Sequence, residues 1–523
     1  MNTQIEQSLW GNITPITTLP KLKVKEHSPQ LIAFNSEQFR RQAEIAVSKI
    51  AKYLNNTNTR GLELKNPKAL LREARSIMME TPAEGANSNE NKFKKLIDLY
   101  IKTGIQVYSP GYMGRQFSGV IPLSAVTDFV SSMVSQPSSF YEAGQLPNIA
   151  ERIMAEEFNE FIGWEPDTFS MITCSGGSLA NMTAILAARN DRYPNLWSEG
   201  YAGLKSKIPA IAVSEDAHYS ISRAAGILGI GDNQIVRLPI NEKRQIDINQ
   251  VRPTLAKAAA RGLDVFCLVG SAGSTSVGAI DSLDKLADIA QELKIWFHVD
   301  GAHGASLMVS DQLRYKLNGL NKADSFAWDA HKMMFMPATC TLLFYKNKEK
   351  SDIAFQQKAS YVFEKEPDIY SQFETGDRNF ECTKRPMIMP LWICWSMYGK
   401  ELFSSKLEYL CRLTEYAYKA LRAESDFTTI HRPETNILCF KYTPINFHDT
   451  EIPDLQIRIR NQITKRGTFF ISKIDLNDDG ALRVVFMNHE IEMHHFYELL
   501  DEIRIIGQEI INEEKLNHIY NIN

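Results

Sequence analysis

An α/β architecture with a mostly parallel central sheet flanked by helices is predicted by two observations. Short apolar runs recur between about Gly104 and Gly399: Ala210-Ile-Ala-Val, Asp264-Val-Phe-Cys-Leu-Val, Ile295-Trp-Phe-His-Val and Thr341-Leu-Leu-Phe-Tyr. Segments with helical apolar spacing, such as Asp284-Lys-Leu-Ala-Asp-Ile-Ala-Gln-Glu-Leu, lie between them. Strands that are apolar throughout, rather than at alternate positions, must be buried on both faces, and βαβ crossovers produce that burial.

The flanks have a different character. Residues 1–104 are polar and helix-rich, with helical spacing in Ser36-Glu-Gln-Phe-Arg-Arg-Gln-Ala-Glu-Ile-Ala-Val and Asn91-Lys-Phe-Lys-Lys-Leu-Ile-Asp-Leu-Tyr, and a loop at Thr81-Pro-Ala-Glu-Gly-Ala-Asn-Ser-Asn. Such a segment wraps a partner subunit, caps the main domain or forms an arm. After the large domain at 105–399, residues 400–523 begin with a long helical stretch. Strand candidates follow at Asn436-Ile-Leu-Cys-Phe-Lys-Tyr and Ala481-Leu-Arg-Val-Val-Phe, and a helix from about Glu490 to Glu513 closes a small α+β domain. There is no internal repeat or low-complexity tract.

Bulk composition excludes more than it selects. Lys+Arg 58 against Asp+Glu 62 gives a net charge of −4 with no basic half, which disfavours nucleic-acid binding. The start Met1-Asn-Thr-Gln-Ile-Glu-Gln lacks a signal-peptide pattern, and no apolar run reaches transmembrane length, so a cytoplasmic protein without a membrane partner is expected. The seven cysteines are scattered without CxxC pairs, which predicts reduced, buried packing residues rather than a metal site.

Four segments place reactive residues after predicted strands, where open α/β sheets hold ligands. In Thr173-Cys-Ser-Gly-Gly-Ser-Leu-Ala-Asn, Gly177 permits a tight turn and Ser178 can cap the following helix. That start either binds phosphate or is merely structural. In His298-Val-Asp-Gly-Ala-His-Gly, Asp300 ends a buried strand, where a carboxylate needs a cation, a hydrogen-bond donor or a capping role. In Trp328-Asp-Ala-His-Lys-Met-Met-Phe, Lys332 is set among apolar residues. Desolvation there favours the neutral, nucleophilic amine, whereas an ordinary lysine would extend to solvent. His218, in Ser214-Glu-Asp-Ala-His-Tyr-Ser, is either a satisfied structural residue or an imidazole placed to stack on an aromatic ring.

In this order the segments resemble the group II pyridoxal 5′-phosphate (PLP) dependent amino-acid decarboxylases, which include glutamate, aromatic-L-amino-acid, cysteine-sulfinate and diaminobutyrate decarboxylases. The resemblance spans about residues 105–510. It rests on His298-Val-Asp-Gly-Ala, the pair His331-Lys332, His218-Tyr-Ser, and Glu374-Thr-Gly-Asp-Arg-Asn-Phe-Glu-Cys, the last most like the glutamate branch. It implies the PLP-dependent transferase fold of type I and loss of the substrate α-carboxylate as CO₂. It implies further a Schiff base at Lys332, Asp300 paired with the pyridine nitrogen, a ring held between His218 and Ala302, and a phosphate on Gly177, Ser178 and His331. Ser274 matches a family threonine near the cofactor, and Arg483 an arginine at the substrate.

Tyr370, in Glu366-Pro-Asp-Ile-Tyr-Ser-Gln-Phe, matches a loop tyrosine that donates a proton in the other subunit's site, so a homodimer is implied, with residues 1–104 helping to form it. Lys332, His218 and Tyr370 are then the catalytic set. Gln116, in Gly111-Tyr-Met-Gly-Arg-Gln-Phe, falls where glutamate-type enzymes carry a substrate-facing Gln, and with Arg115 it favours glutamate or aspartate. Trp328-Asp-Ala-His-Lys and Glu381-Cys-Thr-Lys-Arg also resemble diaminobutyrate decarboxylases. Two positions depart from the family: Asp329 replaces a frequent Asn, and His303 a frequent Tyr or Trp. A PLP aminotransferase or lyase, or a scaffold that has kept the fold without catalysis, are the alternatives from other classes.

Overall fold

The computed structural model describes residues 33–55, 60–80, 88–204, 207–355, 370–445, 447–476 and 479–522. The expected loop at 81–87, the chain start and residues 366–369 ahead of Tyr370 lie outside them. Packing divides the chain into two compact units, one within residues 1–56 and 65–103 and the other comprising 57–64 and 104–523.

The first unit contains α1 (Ser36–Asn55), α2 (Pro67–Met79) and α3 (Ser88–Lys102). Asn66 caps α2 by accepting from the N–H groups of Lys68 and Ala69, and Pro67 occupies the first turn, where its missing donor is harmless. Lys49 on α1 pairs with Asp98 on α3 at 2.5 Å. No residue of α1 or α2 is buried, although both carry apolar faces.

In the second unit, β1 (Leu62–Glu63) and β2 (Gly104–Ile105) form a short antiparallel pair. After α4 (Pro122–Val134) and α5 (Gln145–Ile162) comes the large sheet, with β3 (Ser170–Cys174), β4 (Ile208–Ser214), β5 (Ile235–Leu238), β6 (Leu263–Ser271), β7 (Trp296–Asp300), β8 (Ser325–Asp329) and β9 (Thr341–Tyr345). Its order is β3-β9-β8-β7-β6-β4-β5. The pairs β8·β7, β7·β6, β6·β4 and β4·β5 are parallel, and β9 runs antiparallel between β3 and β8.

Alternate residues feed two cores: on β9, Leu342 and Phe344 join one cluster, and Leu343 and Tyr345 the other. The apolar runs are continuous for that reason, since both faces of the sheet are covered. Helix α6 (Gly177–Arg192) and α7 (Ser220–Ile227) pack on one face; α8 (Ile248–Ala260) and α9 (Leu283–Leu293) contribute to the other cluster.

Helix α10 (Ile388–Ala423) is broken at Gly399, whose φ of 65° is outside the helical range. The expected domain boundary falls at this point, and both sides of it belong to the same compact unit. The C-terminal sheet, β10 (Phe427–Thr429), β11 (Ile437–Tyr442), β12 (Ser472–Asp475) and β13 (Gly480–Val485), is antiparallel in the order β10-β11-β13-β12. Helices α11 (Ile452–Arg466) and α12 (Met493–Ile522) complete the chain.

The cysteine expectation needs one correction: all seven are unpaired, but Cys382 is exposed and Cys411, packed at the edge of the main core, is only half-buried. Among the described residues no helix is long and apolar enough to cross a membrane, and no cluster of His, Cys, Asp or Glu could hold a metal ion.

Candidate active site

The carboxyl ends of β3, β4, β6, β7 and β8 open into one cavity of about 270 Å³. Gly177, Ser178, His218, Ser274, Asp300, Ala302, His331 and Lys332 all line it, joined by Asn181, Thr275, His303 and Asp329. A larger cleft of about 910 Å³ lies elsewhere, along α5 and β3, and contains none of the expected site residues.

The lysine is held electrostatically. Lys332 Nζ lies 2.9 Å from Asp329 Oδ2, and its side chain is 21% exposed. The expectation of an apolar setting is therefore corrected: Met333, Met334 and Phe335 turn into the core, while Lys332, in the turn after β8, reaches back to an acid three residues earlier. Asp329 is almost fully buried and also accepts from Thr341 Oγ1 at 2.5 Å, across the β8·β9 pair. Burial alone would raise its carboxyl, but the charges of Lys332 and His331 and these hydrogen bonds hold it below the usual carboxylate range. His331 Nε2 is 3.7 Å from the same acid, and its Nδ1 meets the main chain of Cys340.

Helix α6 starts beside this acid. The cap residue is Gly176, with φ 107°, and no side chain caps the helix, so Ser178 does not take the capping role expected of it. A left-handed backbone before the first turn is accessible to glycine, and Ser178 becomes the second helical residue instead. A Cβ at Gly177 would lie 3.0 Å from both Asp329 oxygens, and one at Gly273 2.9 Å from the Gly304 nitrogen. Glycine at 177 leaves room beside the Asp329 carboxylate, and glycine at 273 lets the loop after β6 approach Gly304 closely.

Asp300 ends β7, with one donor on each oxygen: Asn181 Nδ2 at 3.0 Å on Oδ2 and the Ala302 N–H at 3.2 Å on Oδ1. His218 accepts from the Ser220 N–H at Nδ1, and desolvation, reinforced by the charge of Lys332, lowers its pKa. Ser274 Oγ accepts from the Ala279 N–H, which folds the loop after β6.

His303, buried on the cavity wall, has Nε2 2.6 Å from Asn436 Oδ1 and a buried Nδ1 without a partner among the described residues. Burial pushes it down to about 3. Asn181 and Asn436 were missed from sequence. The one available signal for Asn181 was a polar residue four positions after Gly177, hence on the same helix face.

Three expected residues are not on the cavity. Arg483, on β13, is buried and donates to main-chain carbonyls of Ser276 (2.9 Å), Thr275 (2.9 Å) and Gly114 (3.4 Å). Burial lowers its pKa. Gln116 is half-buried, and its Nε2 is enclosed without a partner among the described residues. Tyr370 is 56% exposed, its ring stacked on Tyr141 at 5.4 Å.

An amine, a carboxylate, an imidazole and a bare helix start around one flat cavity suit a phosphorylated aldehyde on an aromatic ring. The same features are the ones a pyridoxal phosphate would need. The chain matches the family described as the pyridoxal-dependent decarboxylase conserved domain over residues 76–443, more than half its length, and belongs to that family. It is a group II PLP-dependent amino-acid decarboxylase.

An acidic amino acid decarboxylase of Xenopus tropicalis is 25% identical over 435 residues, 81% of this chain and 84% of the relative. The crystal structure of mouse CSAD superposes with a TM-score of 0.82 at 24% identity, covering 90% of this chain and 98% of that one. Oryza sativa TDC, solved with PLP and tryptamine, gives 0.82 at 17% identity, covering 91% and 99%. Both share the fold type I architecture with this chain.

Proposed function

We propose that this decarboxylase acts on an acidic L-amino acid, glutamate or aspartate, and releases the corresponding amine and CO₂. The observation that carries the acidic preference is Gln116: an N–H donor enclosed without a partner costs about 1–3 kcal/mol. Gln116 does not line this chain's own cavity, so on this reading the substrate side-chain carboxylate removes that cost in the cavity of a second copy, where Arg115 beside it adds positive charge. The Xenopus relative's name points the same way.

Bound PLP supplies the electron sink for the pair left on Cα when CO₂ departs. Lys332 would provide the amine that attaches it, Asp300 would serve the ring nitrogen, and His218 and Ala302 would flank the ring. Gly177, Ser178 and His331 take the phosphate, with Ser274 nearby. Arg483 shapes the substrate side indirectly, by holding the Thr275–Ser276 carbonyls that continue from the cavity wall. Tyr370 holds the proton for Cα and acts on a second copy's cavity, which accounts for its distance from its own.

A homodimer fits the exposed apolar stripe Val126, Phe129, Val130, Met133 and Val134 on α4, and we assign residues 1–104 a part in forming it. The unpaired cysteines fit a cytoplasmic enzyme.

A second reading, an L-2,4-diaminobutyrate decarboxylase, is favoured by His303. Its Nε2 proton is committed to Asn436, so the unpartnered Nδ1 is an acceptor suited to a donor-bearing side chain. Purified enzyme with PLP, offered glutamate, aspartate, cysteine sulfinate, 2,4-diaminobutyrate and aromatic amino acids, should form amine from the acidic members. With the preferred acid, Gln116→Leu should raise KM roughly 10- to 100-fold. Amine formed only from diaminobutyrate or aromatic substrates would sink the acidic assignment.

A further inference from the structure

We propose that Trp296, Ser325, His298 and Asn181 form a one-directional hydrogen-bond relay that fixes the Asp300 carboxylate, with Asn181 as the positioning residue at its head. The inference rests on the cofactor role assigned to Asp300 above.

The direction is fixed at the Asp300 end, and the Trp296 end is compatible with it. Trp296 Nε1 can only donate, and it lies 2.9 Å from Ser325 Oγ. The hydroxyl can accept from Trp296 and still donate, and it gives its proton to His298 Nδ1, 2.8 Å away, when that nitrogen is bare. A bare Nδ1 leaves the imidazole proton on Nε2, which donates to Asn181 Oδ1 at 3.0 Å. The Asn181 amide then points its two N–H bonds at Asp300 Oδ2 and Ser220 Oγ, both at 3.0 Å.

Started from Asp300, the same assignment results. A carboxylate only accepts, so Asn181 must turn its nitrogen towards it and its oxygen towards His298, which must then carry the proton on Nε2. The Trp296–Ser325 bond fits this direction without imposing it, since a hydroxyl oxygen can accept twice.

The fold delivers these groups by simple periodicities. Trp296, His298 and Asp300 occupy alternate positions of β7 and share a face, and His298 pairs in register with Ser325 on β8. Asn181 stands one turn into α6 from Gly177, so one helix face serves both the phosphate cradle and the relay. His298 is completely enclosed, and desolvation pushes it down to about 4, which keeps it neutral and preserves the single tautomer.

Asn181 also connects two parts of the site. Its second N–H reaches Ser220, whose own N–H holds His218 Nδ1. One amide thus sets both the group for the ring nitrogen and the segment that carries the stacking imidazole. With Ala302 N–H on the other oxygen, Asp300 is left one orientation.

The test uses the purified enzyme with PLP itself as probe, reading its dissociation constant and the visible circular dichroism per bound cofactor. Asn181→Leu and Asn181→Asp should weaken PLP roughly 10- to 100-fold, the cost of losing a hydrogen bond to a charged group, and reduce the dichroism. Trp296→Phe, which cuts a neutral bond at the far end, should weaken it about 2- to 10-fold.

An Asn181→Leu protein with the parent's melting temperature, PLP affinity and dichroism overturns the relay. Should that variant fail to fold, nitrogen NMR of His298 in the parent protein decides: a proton on Nε2 supports the relay, and a proton on Nδ1 overturns it. A parent protein that captures no PLP would instead count against the role of Lys332, while the NMR result would still judge the relay.

Discussion

Gly177, His218, Asp300 and Lys332 each follow the carboxyl end of a strand in one sheet, and the register of that sheet sets their separations. Gln116, Arg483 and Tyr370 come from a loop, from the small sheet and from the stretch beyond residue 369, and none of them lines the cavity. In the first group, Asp300 and His218 are joined through Asn181 and Ser220, and Lys332 is ion-paired with Asp329. In the second, Gln116 has a buried donor without a partner among the described residues, and the guanidinium of Arg483 is committed to main-chain carbonyls. The contrast teaches that the cofactor half is preorganised within one compact unit, whereas on our reading the substrate half is completed by the substrate and a second chain. Preorganised groups act most strongly where charge develops, so the largest functional losses should come from the cofactor half.

Lys332→Ala tests that ranking most severely. With saturating PLP, CO₂ release should fall on the order of 10³-fold or more, because no other cavity residue offers an amine. Multiple turnovers at a rate near that of the parent would remove the covalent role. The variant also leaves Asp329 buried without its nearest cation, so a lowered melting temperature should accompany the loss.

The departure at Asp329 makes an intermediate prediction. Its carboxylate sits against the start of α6, which is the seat assigned to the cofactor phosphate, and two anions on one helix start oppose each other. It also pairs with the lysine that must leave that pair to attach the aldehyde. Asp329→Asn keeps the shape and an acceptor for Thr341, so PLP affinity should rise about tenfold. Pyridoxal without the phosphate should gain less, and equal or weaker PLP binding by the variant would show that the acid contributes to the phosphate site.

The same division explains what was legible in the sequence. A strand-end motif carries its chemistry contiguously, so Asp300, His218 and the His331-Lys332 pair could be read from local pattern, and the sheet gathers them. Asn181 could not: it lies in the apolar stretch Leu179-Ala-Asn-Met-Thr-Ala, and its partner His298 is 117 residues away. The misreading of Lys332 had a different cause: Asp329 is only three residues away, but the apolar run Met333-Met-Phe was given more weight than the acid and His331 before it. The cap assigned to Ser178 failed because Gly176 adopts a conformation that sequence spacing does not report.

Acid should separate the two halves by the smallest effect, and the sign can be derived. Burial pushes His298 and His303 of the cofactor half down to about 4 and about 3, whereas an unfolded histidine titrates near 6.5. Above about pH 6.5 both states hold these rings neutral, and the full stability is present. As pH falls from there towards 4, the unfolded chain takes up protons that the folded chain refuses, so stability drops by up to about 1.4 kcal/mol per pH unit for each ring. Below the folded values the loss levels off. Neither Gln116 nor Arg483 changes charge in that window, so PLP should be released together with the fall in melting temperature between pH 6.5 and 4. His303→Phe should flatten the thermal profile by one ring's share, and a slope unchanged in that variant would mean that His303 is already charged in the folded protein.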